Sequence, residues 1–212
     1  CMQNLPVVFC IDRAGFVGSD GQTHQGLFDL SYLQSMPNLT IITPKDSKEF
    51  ENALTFAIEQ KTPIAIRYPN GAHADFENHT QFSCEWEIVK YGKNIKILAV
   101  GQRMLNLATS IEKSCKEDIE IINVRCVKPL DYKYLDTIKK GDTVITLEEN
   151  NLFGGFGSMA SSVLINENIK FYSFGCEDAF VSHATVNEQL VSCGLTANDV
   201  ISKCGLKMKK LS

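Results

Sequence analysis

Asp20 and His24 stand four residues apart with Gly21 between them, in the stretch DRAGFVGSDGQTHQG that runs from Asp12 to Gly26. That spacing can converge the two side chains on one ligand. An imidazole donates to or accepts from a hydroxyl or carbonyl near neutral pH. A carboxylate accepts from hydroxyls, or holds the tautomer of the imidazole beside it. Arg13 opens the same stretch, and Arg67 follows in IRYP. Guanidinium groups are suited to bidentate phosphate contacts. Singly, each residue has an ordinary structural reading: a glycine turn, a His–Asp hydrogen bond, an arginine snorkelling out of a strand. Jointly, they fall at strand ends of one unit. Asp20 and His24 are the candidate catalytic pair, and Arg13 and Arg67 the candidate binders of a phosphate on a hydroxylated ligand.

The elements that must position these groups alternate between strand and helix. LPVVFCI, from Leu5 to Ile11, is a continuous apolar run of strand length, the pattern of a strand buried on both faces in a parallel sheet. Gly15, Gly18, Gly21 and Gly26 interrupt the loop behind it and let backbone approach a ligand. Leu27 to Ser35 reads as a helix ending before Pro37, and LTIITP from Leu39 as a strand. Phe50, Leu54, Ala57 and Ile58 share one helical face, with Asp46 or Ser47 as N-cap, and PIAIRYP is a strand. Between Asn70 and Trp86 the periodicity is lost, which predicts a linker. Alternation then resumes with strands at IKILAVG, IEIINVR, DTVITLEE and IKFYSFG. The helices between and after them include two that begin at Thr185 and Thr196. The fold class is therefore α/β: two units with mainly parallel sheets flanked by helices. In open sheets of this kind ligands bind beyond the carboxyl ends of the strands, where the glycine-rich loop lies.

With 44% apolar and 22% charged residues the chain of 212 residues has the composition of a globular protein. Its net charge of -4 argues against a nucleic-acid partner. No apolar run approaches a membrane span and no signal segment is evident. The eight cysteines show no CxxC spacing, so free, reduced and mostly buried thiols of a cytoplasmic protein are expected. His73 and His79 fall in the linker and His183 precedes a helix, with no metal site expected at any of them. The chain opens CMQNLPVVF, without an initiating methionine and close to a strand, which suggests a fragment or one piece of a split enzyme.

DRAGFVGSDGQTHQG, LTIITP, IRYPNG, VITLEEN and GGFGS together resemble the pyrimidine-binding and C-terminal domains of the 1-deoxy-D-xylulose-5-phosphate synthase family. That family is part of the thiamine-diphosphate, transketolase-like superfamily. The resemblance implies an incomplete pyrimidine-binding domain over 1–72, a linker over 73–90 and a transketolase C-terminal-like domain over 91–212. It implies decarboxylation of pyruvate on thiamine diphosphate and transfer of the two-carbon unit to glyceraldehyde 3-phosphate, which feeds isoprenoid, thiamine and pyridoxal synthesis. On this resemblance Asp20 and His24 contact substrate hydroxyls and carbonyl, and Arg13 and Arg67 bind the aldehyde's phosphate. The family's GDG motif and asparagine, which hold Mg2+ and the diphosphate, have no counterpart here. SDGQ at Ser19 lacks the first glycine and the spaced asparagine. No cofactor or metal ligand is therefore expected in this chain, which alone should be inactive. It should act in a homodimer with a missing N-terminal domain, or with a complementing chain. The alternative is a non-catalytic dimerisation or ligand-binding module.

Two further features invite a site reading. Glu148 and Glu149 end a strand and read as capping and contact residues between the units. GGFGS from Gly154 opens a helix as a phosphate cradle does, but it lacks the GxGxxG spacing of a dinucleotide site.

Overall fold

A computed structural model of the chain describes residues 1–71, 76, 81–165 and 168–209. His73 and His79 lie outside the described residues. Two sheets form the frame. The first has the order β1 (Val8–Ile11), β3 (Ile64–Arg67), β2 (Thr40–Ile42), β7 (Cys126–Lys128). β1 and β2 pair parallel with β3, and β7 pairs antiparallel with β2. The second has the order β4 (Glu87–Lys90), β6 (Ile119–Asn123), β5 (Ile95–Ala99), β8 (Thr143–Asn151), β9 (Lys170–Cys176). It is parallel except for β4 on β6.

Helices α1 (Asp29–Leu33) and α2 (Ser47–Glu59) belong to the first half of the chain. α3 (Gln102–Ser114), α4 (Tyr132–Leu135), α5 (Phe156–Leu164), α6 (Val186–Ser192) and α7 (Ala197–Cys204) follow. Several begin where local chemistry places them. Asp46 accepts from the Glu49 N–H at the start of α2, and Thr196 from Asp199 at the start of α7. Thr185 and Glu188 form a reciprocal capping box on α6. Lys209 Nζ donates to the carbonyls of Glu112 and Lys113 in the last turn of α3.

Three expectations are corrected by long-range contacts. The helix expected from Leu27 to Ser35 shortens to five residues, because the Leu27 carbonyl is taken by the Asn151 N–H at 2.6 Å. β1 is not buried on both faces. Among the described residues it stands at the edge of its sheet, with Phe9 48% exposed. The stretch expected as a linker over 73–90 ends in β4, and its Trp86 is buried against Tyr134 and Phe156. Trp86 Nε1 donates to the Cys126 carbonyl on β7 at 2.8 Å.

The crossing of β7 into the first sheet makes the two halves share a core. One apolar cluster runs from Leu39, Ile41 and Ala65 of the first sheet to Leu98, Ile122 and Val144 of the second. A buried charge cluster lies beside it. Arg125 bonds Glu49 at 2.7 Å and Glu87 at 2.9 Å, and Lys45 bonds Glu87 at 2.6 Å. Burial pushes the Glu49 carboxyl up against the pull of Arg125 and Asn123. Burial also opposes ionisation of Glu87, but Lys45, Asn123 and Arg125 together hold it below the usual range.

Glu148 is fully enclosed at the head of α5. Its two carboxylate oxygens accept from the N–H groups of Phe156 and Gly157, both at 2.8 Å. Those bonds explain GGFGS: a Cβ on Gly155 would stand 2.5 Å from Glu148 Oε2, and one on Gly157 would stand 2.6 Å from Thr146 Oγ1. The helix N-terminus is filled by the protein's own carboxylate, so the phosphate cradle does not form. Burial raises this carboxyl from 4.5 to about 7, against the opposing pull of the two N–H groups. A carboxyl that holds its proton more tightly in the fold than in the unfolded chain stabilises the fold at low pH. That contribution is complete below the unfolded value and is lost as pH rises through about 7. The stability advantage of the parent over Glu148→Gln is therefore expected to be larger at pH 5 than at pH 8, by an order of 3 kcal/mol. Urea denaturation of both at the two pH values checks it. An advantage that grows with pH would show instead that the ionised form caps the helix.

Candidate active-site loop

The loop behind β1 is closed at its base by backbone pairing. Gly15 and Gly26 exchange both hydrogen bonds, at 2.8 and 2.9 Å. A Cβ on Gly26 would lie 2.1 Å from the Arg13 carbonyl, so only glycine permits this closure. The next two turns are short 3-10 segments, Gly18–Asp20 and Gln22–His24.

The second half of the chain holds the loop from behind. The Phe16 N–H donates to Glu149 Oε1 at 3.2 Å, and the Gly18 N–H to Gln189 Oε1 on α6 at 3.1 Å. Arg103 on α3 closes on the same Glu149 carboxylate. Phe28 packs edge-on against Phe180.

The four candidate residues take different positions. Arg13 is exposed and has a positive φ of 57°. Its Nε donates to Asp20 Oδ2 at 3.1 Å and its Nη1 to Asp12 Oδ2 at 2.9 Å. His24 is exposed, and its Nδ1 shares a hydrogen bond of 2.9 Å with the Thr23 hydroxyl, which leaves Nε2 for another partner. Asp20 thus engages Arg13 rather than His24. A cleft of about 300 Å³ opens beside them, lined by Asp12, Arg13, His24, Phe28, Asp29 and Tyr32 among others.

Arg67, at the end of β3, is among neither the exposed groups nor those that line this cleft; it is 4% exposed. Its Nε donates to Asp29 at 2.7 Å, and its Nη2 donates to the carbonyls of Gly26 and Glu149, both at 2.8 Å. Asp29, Tyr32, Arg103 and Gln189 were not singled out from sequence. Asp29 carries the one local signal, a carboxylate at the start of a helix, but its arginine partner is 38 residues away. Glu149 acts as the contact between halves that its strand-end position suggests.

Removing the Arg67 guanidinium leaves the buried Asp29 charge without its counter-ion and takes one donor from each of two carbonyls. Arg67→Ala is expected to cost about 3–5 kcal/mol of folding stability. Arg67→Lys is expected to recover only part of it, because one ammonium cannot reproduce the planar fork. Chemical denaturation measures both, and a variant as stable as the parent would free Arg67 for direct ligand binding.

Comparison with known proteins gives consistent likenesses. The family described as "Transketolase, pyrimidine binding domain" matches residues 1–74, and "Transketolase, C-terminal domain" matches residues 84–200. Among curated relatives, 1-deoxy-D-xylulose-5-phosphate synthase of Clostridium tetani is 42% identical over 96% of this chain and 34% of its own length. The enzyme of that name from Chlorobaculum tepidum is 40% identical over 95% of this chain and 33% of its own. The chain spans about a third of the length of the curated relatives it matches. Among solved structures, a split-gene transketolase described as an inactive β4 tetramer superposes with a TM-score of 0.80 at 25% identity, over 95% of this chain and 67% of that one. A transketolase variant from Pichia stipitis has a TM-score of 0.79 at 18% identity, covering 96% and 30% of the two chains, a likeness of fold.

Proposed function

The chain belongs to the transketolase family, and from that membership we propose that it forms part of a 1-deoxy-D-xylulose-5-phosphate synthase and contributes the substrate-facing side of its active site. The reaction is condensation of pyruvate with glyceraldehyde 3-phosphate with loss of CO2, which supplies isoprenoid, thiamine and pyridoxal synthesis. One observation supports this reading above the others. The Asp12–Gly26 loop is fastened at its base by Gly15, Gly26, Arg67 and Glu149, while His24, Asp20 and Arg13 remain exposed at its outer turn.

Each residue then has a distinct task. His24 Nε2 meets the substrate carbonyl or hydroxyl, and the Thr23 hydroxyl orients its ring through Nδ1. Asp20 accepts from a substrate hydroxyl and steadies Arg13. Arg13 meets the aldehyde's phosphate through Nη2, the guanidinium nitrogen that donates to neither Asp12 nor Asp20. Arg67 supports the same site from beneath by fixing the loop and Asp29. The match to a pyrimidine-binding domain supports thiamine diphosphate as the cofactor of the whole enzyme; among the described residues no three His, Cys, Asp or Glu side chains converge. The ligands of the diphosphate and of Mg2+ belong, in this proposal, to a further domain of the same protein. The homodimer is part of the same proposal. No helix among the described residues is long and apolar enough to cross a membrane.

A second reading keeps the site and changes its partner. The likeness to a split-gene transketolase favours a separate complementing chain that brings the cofactor-binding side.

The test is turnover of pyruvate and glyceraldehyde 3-phosphate by the longer protein and its variants. His24→Ala is expected to lower kcat by about 10²–10⁴-fold. Arg13→Ala is expected to raise KM for the aldehyde roughly tenfold to a hundredfold, the weight of a hydrogen bond to a charged group. Both positions are exposed, so thermal denaturation should be unchanged. Full activity of His24→Ala would overturn the assignment of the loop.

A further inference from the structure

The largest cleft among those described lies between the end of β9 and α6, and Gln22 of the loop's outer turn donates to Ser182 on its lining at 3.5 Å. It encloses about 640 Å³ and is lined by Cys176, Glu177, Phe180, Gln189, Cys193 and Lys203 among others. Cys176 ends β9 and is buried, and Cys193 caps the C-terminus of α6 and is half-buried. Both belong to the same packed cluster, and their thiols are within side-chain hydrogen-bonding reach of each other. Nothing in the proposed reaction uses either one.

We propose that Cys176 and Cys193 are a reversible thiol–disulfide pair, in which Cys193 meets an oxidant in the cleft and Cys176 resolves it. Three observations carry this. The thiols are neighbours, they open on a space large enough to admit a small oxidant, and the more accessible one is activated. The hydrogen bond from Cys176 lowers Cys193 to about 7, with the Ser192 hydroxyl 3.9 Å from its sulfur. That same bond and burial push Cys176 up, so it remains a thiol while Cys193 ionises.

The oxidant class is a peroxide. The Cys193 thiolate attacks one peroxide oxygen; an S–O bond forms, the O–O bond breaks, and hydroxide leaves and takes up a proton as water. Cys176 sulfur then attacks the sulfenic sulfur. An S–S bond forms, the S–O bond breaks, and the departing hydroxide leaves as water with the Cys176 proton. Two thiols are oxidised and one peroxide is reduced to two waters. The bond would staple α6 to β9. Gln189 on that helix accepts from Gly18, and Val186 lies within 3.3 Å of where a Cβ on Gly18 would stand. The staple therefore bears on the helix that backs the Asp20 turn.

Another close pair, Cys84 and Cys126, provides an internal comparison, since neither lines any of the described clefts. The experiment treats the reduced intact protein with hydrogen peroxide, blocks the remaining thiols and maps the bonds without reduction. Cleavage after glutamate at Glu177 and Glu188 separates the two cysteines, which share one tryptic peptide. The expected result is a Cys176–Cys193 link that forms before Cys10 or Cys84 is consumed and reopens with dithiothreitol. In Cys176→Ser, a dimedone adduct is expected to accumulate on Cys193. Oxidation of Cys10 or a Cys84–Cys126 link while Cys176 and Cys193 stay reduced would overturn the proposal. The mapping uses the parent protein, so the outcome does not depend on a variant folding.

Discussion

The guanidinium of Arg67 is the joint on which the rest of the site depends. It sits at the end of β3 with almost no solvent contact, and it donates at once to a carboxylate and to two carbonyls. The carboxylate is Asp29 at the start of α1, one carbonyl closes the glycine loop, and the other belongs to Glu149 within β8. A buried charge is tolerated only when its donors and acceptors are matched. Here the matching also fixes three chain segments relative to one another. The loop is consequently held in place through its base, while its outer turn with Asp20 and His24 remains exposed.

The same logic recurs at the other contact between the halves. Glu49, Glu87, Lys45, Arg125 and Asn123 interlock in a buried cluster whose members come from α2, β4, the end of β6 and the segments next to β2 and β7. Buried apolar residues of both halves form one continuous cluster beside it. Glu148 shows the principle within a single element, where one buried carboxylate replaces an external anion at the head of α5. The anion-binding potential of that helix end is thereby spent internally.

Much of the frame was legible in the sequence because it rests on local chemistry. Apolar runs of strand length alternate with helical periodicity, and α/β order follows. Asp46, Thr185 and Thr196 cap helices because a side-chain oxygen reaches an N–H only two or three residues on. The glycines of DRAGFVGSDGQTHQG marked a loop of close backbone approach, and the 2.1 Å clearance at Gly26 is the physical form of that mark. The absence of CxxC spacing pointed to free thiols, and the eight cysteines are unbonded, but only Cys115, Cys126 and Cys176 are buried, fewer than expected.

Tertiary structure alone decided the partners. The sequence could place Arg67 at a strand end, but not reveal that Asp29 and two distant carbonyls would claim it. It marked the apolar run of β1 without showing that β1 would lie at an edge, because burial depends on which strands come to either side. It could not show that β7 would leave its own half and pair with β2, or that Asn151 would cut short α1 by taking the Leu27 carbonyl. These outcomes share one cause. Periodicity, caps and turns are written within a few residues, whereas pairing across a fold is set by the requirement that every buried donor, acceptor and charge be met at the same time.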